Sequence, residues 1–142
     1  MTSGLRICSV WNIPIRLHPS WFIVFGLLTW SLSTGYFPAA YPVLGIGINI
    51  ALGLVTSLFF FASVLAHELG HSWVALKEKI PVRGITLFIF GGVAQIEREP
   101  NSPGAEFRIA IAGPLISLLL GILFGILFFF GQNIAFLAAP SQ

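Results

Sequence analysis

Three apolar runs dominate the chain, Trp21 to Leu32, Val43 to Leu76 and Phe107 to Phe130, and turn-rich or charged stretches separate them. A helix needs about 20 predominantly apolar residues to cross a bilayer core, which predicts spans over 20–34, 43–76 and 106–131. Ser20 is a candidate N-cap for the first span, and Trp21 and Trp30 stand where interfacial anchors belong. The stretch from Ser33 to Pro42 reads as an uncharged loop. The second run would measure about 51 Å at 1.5 Å per residue, against a core of about 30 Å, so it is one long tilted or broken helix or two helical pieces. Small or polar residues recur every four positions in this run (Gly45, Asn49, Gly53, Ser57) and in the third (Gly113, Ser117, Gly121, Gly125). Such seams mark close helix packing, here of the third span against the second. Pro114 is expected to kink the third span.

Elsewhere the period shortens to two. Ile13, Ile15 and Leu17 alternate with Pro14 and Arg16, and the prolines at 14 and 19 favour an edge strand or loop. The opening 1–19 is thus strand and loop. Over 82–98 two β-rich runs flank Gly91-Gly92, a pair able to supply the positive φ angles of a two-residue hairpin turn. Only membrane spans are available to bury such an apolar hairpin, and its edges then require protein or a water-filled cavity. The expected fold class is an all-α multi-pass membrane protein. It has about three transmembrane helices, a membrane-embedded β hairpin between the second and third, and a single membrane domain over 1–142.

Composition agrees: 56% of the residues are hydrophobic and 8% charged, where a soluble domain carries about a quarter charged. The net charge of +2 comes from seven basic residues too scattered for a nucleic-acid surface. They report topology instead. Arg6 and Arg16 precede the first span, Lys77, Lys79, Arg83, Arg98 and Arg108 lie between the second and third, and the first loop has none. That asymmetry places the N-terminus on the cytoplasmic side. Cys8, the single cysteine, excludes a disulfide within one chain. No cleavable presequence is expected, a cut near Ala39-Ala40 being the disfavoured alternative.

The candidate chemistry lies in His67-Glu68-Leu69-Gly70-His71, near the cytoplasmic end of the second run. Residues four apart share a helix face, so both imidazoles can meet one Zn²⁺ with Glu68 beside them as general base. Each ionisable group inside an apolar span costs roughly 3 kcal/mol, which favours a functional site over a structural polar cluster. His18, at a span boundary, reads as an interfacial histidine rather than a ligand.

These residues resemble the site-2 proteases, multi-pass membrane zinc metalloproteases that cut transmembrane or membrane-proximal segments. The resemblance rests on His67-Glu68-Leu69-Gly70-His71, on Gly91-Gly92-Val93 in the β segment and on Ala112-Gly113-Pro114 opening the next span, with Arg16-Leu17-His18-Pro19-Ser20 similar to one bacterial and plastid-type branch. It implies that His67 and His71 ligate one Zn²⁺ and that Glu68 activates water. It further implies that Gly91, Gly92 and Val93 line the path of an unwound membrane-protein substrate, the alternative being a turn without substrate contact. The family's third ligand is an aspartate on a later span, and this sequence contains no Asp. Three explanations stay open: a partial protease core, closure of the site by Glu97, Glu99, Glu106, His18 or a partner chain, or a non-catalytic relative. The rival class is a membrane metal-ion-binding or transport subunit without protease activity.

Overall fold

A computed structural model of the chain describes residues 4–138, with side chains through Gly131. Its backbone runs β1 (Leu5–Val10), β2 (Ile13–Leu17), α1 (Pro19–Ser31), a π-helical turn (Leu32–Tyr36), α2 (Phe37–Ala40), α3 (Ile46–Lys77), β3 (Val82–Phe88), β4 (Gly91–Ile96) and α4 (Pro103–Ala138). Among the described residues three helical segments are long and apolar enough to cross a membrane: Pro19–Ala40, Ile46–Lys77 and Pro103–Gly131.

The second apolar run resolves as one helix of 32 residues, not two pieces. No proline interrupts it, and two of its three glycines, Gly53 and Gly70, serve packing. Gly53 lies under Ser33, where a Cβ would stand 3.0 Å from the Thr29 carbonyl. Thr29 Oγ1 donates to Ser57 Oγ at 3.0 Å one turn further along. Between membrane helices such a bond contributes about 0.6 kcal/mol, so most of the adhesion is the close approach that small residues allow. The helix ends where Lys79 takes a positive φ of 61° and Ile80 N–H returns to the Ala75 carbonyl at 2.9 Å, with Pro81 next.

The first span is longer than expected. Helix persists past Ser33 through the π-helical turn and α2, so the loop read over Ser33 to Pro42 shrinks to the turn before Ile46. Pro38 stands at the start of α2, and the residues before it keep helical backbone angles, so it does not break the segment. In α4, Gly113 is buried but Gly121 and Gly125 meet nothing within 4 Å, so only the first part of the second small-residue seam packs.

The β structure exceeds a hairpin, and the chain is not all-α. Four strands form one sheet in the order β1-β2-β3-β4, with β2 and β3 parallel and the outer pairs antiparallel. β1 escaped notice because it is an exposed edge strand, bulged between Arg6 and Cys8, with no buried alternation to read. The turn after it, Trp11-Asn12, has φ angles of 51° and 63°, the geometry of a tight hairpin. In the second hairpin the turn falls on Ile89-Phe90, with Phe88 opposite Gly91, so Gly91-Gly92 opens β4 instead of making the turn. The expected alternation in β2 holds: Ile13, Ile15 and Leu17 are buried. Ile13, Leu17, Ile85 and Leu87 close over Trp21 and Phe61, with Val64, Leu65 and Leu69 packed against them. The sheet therefore lies on the half of α3 that carries the histidines.

Candidate active site

α3 presents His67 and His71 on the face that meets α4. The rings stand edge to face with centroids 4.8 Å apart, and their Nε2 atoms approach to 3.1 Å. α4 fixes each ring from behind: His71 Nδ1 lies 2.6 Å from the Ile109 carbonyl, and His67 Nδ1 lies 2.8 Å from Ser117 Oγ. A carbonyl only accepts, so His71 carries its proton on Nδ1 and turns the Nε2 lone pair toward His67. Metal-binding histidines are held in this way, one nitrogen anchored so that the other ligates.

Gly113 stands across the gap. A Cβ there would overlap His71 Nε2 and come 2.6 Å from His67 Nε2, so only glycine leaves the two nitrogens room. Gly70 plays the matching part on α3, where a Cβ would meet Ile116 Cγ1 at 2.8 Å and the Ala112 carbonyl at 3.1 Å. Both glycines let the helices close around the imidazoles.

Glu68 points to the other side of the pair, toward the sheet. Its side chain lies so near Gly92 that a Cβ on Gly92 would overlap Glu68 Cγ and sit 3.1 Å from Cδ. A cleft of about 540 Å³ opens here, lined among others by His67, Glu68, Phe90, Gly91, Gly92 and Ser117. β4 is an edge strand of the sheet, and Val93, next in sequence after Gly92, is exposed.

The donor set fits two of the three protein ligands of a catalytic zinc, both through imidazole nitrogen. Among the described residues no group of three or more His, Cys, Asp or Glu is assembled. His18 instead bonds Ser20, and Glu97 pairs with Arg83 at 2.9 Å, so neither closes the site, nor do Glu99 and Glu106. Glu78 pairs with Arg108 at 2.8 Å, tying the end of α3 to the start of α4. The Arg108 guanidinium holds the Glu78 carboxyl below its ordinary value.

The sequence brought forward His67, Glu68 and His71; the fold sets His67 and Glu68 with Gly91 and Gly92 around one cleft, and His71 stands behind it against His67. Ser117 and the Ile109 carbonyl were missed as partners of the imidazoles. Ser117 stood in a small-residue seam, and nothing local marks a hydroxyl 50 residues away as the anchor of His67.

A histidine pair one turn apart, flanked by a glutamate and roofed by an edge strand, defines the HExxH class of metallopeptidase site in a membrane-type helical frame. The chain belongs to peptidase family M50, whose family model matches residues 55–141. It is 51% identical over 120 residues to the putative zinc metalloprotease sll0528 of Synechocystis, covering 84% of this chain and 31% of that protein. It is 36% identical over 124 residues to the zinc metalloprotease MJ0392 of Methanocaldococcus jannaschii, covering 86% of this chain and 32% of that protein. Among solved structures it matches the site-2 protease from Methanocaldococcus jannaschii with a TM-score of 0.64 and 33% identity, over 89% of this chain and 52% of that one. The resemblance read from the three motifs thus holds. The chain spans about a third of the length of the curated relatives it matches.

Proposed function

We propose that this chain carries the catalytic histidine pair and general base of an intramembrane zinc metalloprotease that hydrolyses peptide bonds in or near transmembrane segments of membrane proteins. The observation that carries the reading is the convergence of the two Nε2 atoms, 3.1 Å apart, with Glu68 on the cleft side of the pair. His67 and His71 hold one Zn²⁺, and the third protein ligand comes from a segment beyond this chain or from a partner chain. Zinc in such a site acts as a Lewis acid and lowers the pKa of water to about 7. Glu68 accepts the proton of the attacking water at its carboxylate and delivers it to the departing amine nitrogen.

A peptide bond within a helix is shielded by its own hydrogen bonds, so the substrate must enter extended. The free edge of β4 offers backbone partners to such a strand, and Gly91, Gly92 and Val93 form the stretch against which it lies. The hairpin occupies membrane depth because spans and cleft cover it, with the N-terminus and the zinc motif toward the cytoplasm as the basic residues dictate. The metal-transport reading finds no counterpart in relatives named as metalloproteases.

The test uses the intact protein in nanodiscs with a membrane-embedded substrate. Glu68→Gln retains one zinc per chain and loses cleavage, while His67→Ala or His71→Ala loses both. Cleavage by Glu68→Gln at the unaltered rate would refute the general-base assignment.

A further inference from the structure

His18 and Ser20 belong to the opening motif that the proteolytic reading leaves without a role. His18 N–H donates to the Leu87 carbonyl at 2.8 Å, one rung beyond the last parallel pair, Leu17 with Leu87. Pro19 then removes the next backbone donor and the chain turns into α1, so the ladder between β2 and β3 has no further main-chain rung. Ser20 supplies one with its side chain. Its Oγ accepts from Ile89 N–H at 3.2 Å, across 69 residues of sequence.

The direction of this bond is set by His18. Ser20 N–H, which only donates, points at His18 Nδ1 from 3.2 Å, and therefore Nδ1 bears a lone pair. The Ser20 hydroxyl, 2.8 Å from the same nitrogen, donates to it and leaves its own lone pairs facing Ile89. The chain of donors runs from Ile89 N–H through the Ser20 hydroxyl to His18 Nδ1. Its far end is the turn Ile89-Phe90, which leads into Gly91 and Gly92 at the wall of the Glu68 cleft. Phe90, 89% exposed, also lines that cleft.

We infer that His18 and Ser20 are positioning residues, a latch that fixes the β3–β4 turn from the α1 side and so sets where the edge of β4 receives an extended substrate segment. The inference rests on the proposed role of β4. His18 acts through Ser20, and Ser20 through the Ile89 amide, so neither touches the reacting atoms. Losing the latch frees the turn and weakens substrate binding, while the imidazole pair on α3 and its metal are untouched.

The experiment compares Ser20→Ala, Ser20→Cys and Ser20→Thr with the unaltered protein, intact in nanodiscs, by amide hydrogen exchange, zinc content and steady-state cleavage. Ser20→Ala is expected to speed exchange at Ile89 by about tenfold and to raise KM about fivefold, with kcat within twofold and one zinc per chain, the size of effect one hydrogen bond carries. Ser20→Thr, which keeps the hydroxyl, restores both. Ser20→Cys keeps the packing of the α1 start but is a poor acceptor, and gives the alanine result without risk to the fold. Unchanged Ile89 exchange, or faster exchange with unchanged KM, overturns the latch, as does a fall in kcat accompanied by loss of zinc. If the unaltered protein holds zinc but cleaves nothing, the proteolytic reading fails instead, and Ile89 exchange alone then decides for or against the latch.

Discussion

No side-chain carbon fits between Gly113 of α4 and the imidazole of His71 on α3. The two helices are antiparallel here, His71 meeting Ile109 and His67 meeting Ser117 one pair of turns later, so a single atom at position 113 acts on both ligands. Gly113→Ala should displace both Nε2 atoms and lower zinc affinity by about 100-fold, the upper end of what altered ligand orientation costs. Equilibrium metal competition reads this directly. Retention of unaltered affinity would show that α4 yields and that the tight fit is not functional.

Ser117→Ala tests the anchor behind His67. Removing the hydroxyl leaves Nδ1 without its 2.8 Å partner and the ring free to rotate, whereas His71 keeps the Ile109 carbonyl. The expected outcome is a zinc affinity lower by about tenfold, with partial recovery in Ser117→Thr, which keeps the hydroxyl. The competition assay checks it, and a circular dichroism spectrum unchanged from that of the unaltered protein excludes a folding defect.

How much of this was legible follows from how local each signal is. The i, i+4 spacing of His67 and His71 is a property of one helix, and it survives intact in α3. The alternation of Ile13, Ile15 and Leu17 is equally local and marks a strand face that is buried. β1 was not legible, since an exposed, bulged edge strand has no burial to impose a period. Gly91-Gly92 misled for an instructive reason. Gly92 answers to the close approach of Glu68 from another element, while Gly91 takes a φ of 124° as the first residue of β4, and either demand equally places this residue type in a turn. Ser117, the Ile109 carbonyl and the His18–Ser20–Ile89 chain are tertiary relations, set by how α4 and the sheet dock on α3 and α1, and no periodicity encodes them.

Glu78, just past the end of the second span, supplies a pH dependence through its pair with Arg108. Arg108 depresses the Glu78 pKa in the folded state, so the pair's contribution is fully present above the unfolded value near 4.5 and is lost as pH falls through the lower folded value. Thermal unfolding of Glu78→Gln should therefore differ from that of the unaltered protein at pH 7 and converge with it in the acid limb. The difference should also shrink with added salt, as for any partly exposed ion pair. A constant difference down to pH 3 would show that Glu78 acts through packing and not through charge.

Gly92 separates metal binding from proton transfer. A methyl group at this position overlaps Glu68 Cγ, whose place is set by χ1, so the side chain must leave its present rotamer and carry the carboxylate with it. The imidazoles lie on the α4 side and lose nothing. Gly92→Ala should thus bind zinc as the unaltered protein does yet lower kcat by about 100-fold, the lower range of what a positioned general base contributes. Gly113→Ala and Gly92→Ala then form opposite signatures, metal lost in one and chemistry lost with metal kept in the other. If Gly92→Ala instead lost zinc, Glu68 would have to be counted among the groups that hold the metal, and its assignment as the base would need to be withdrawn.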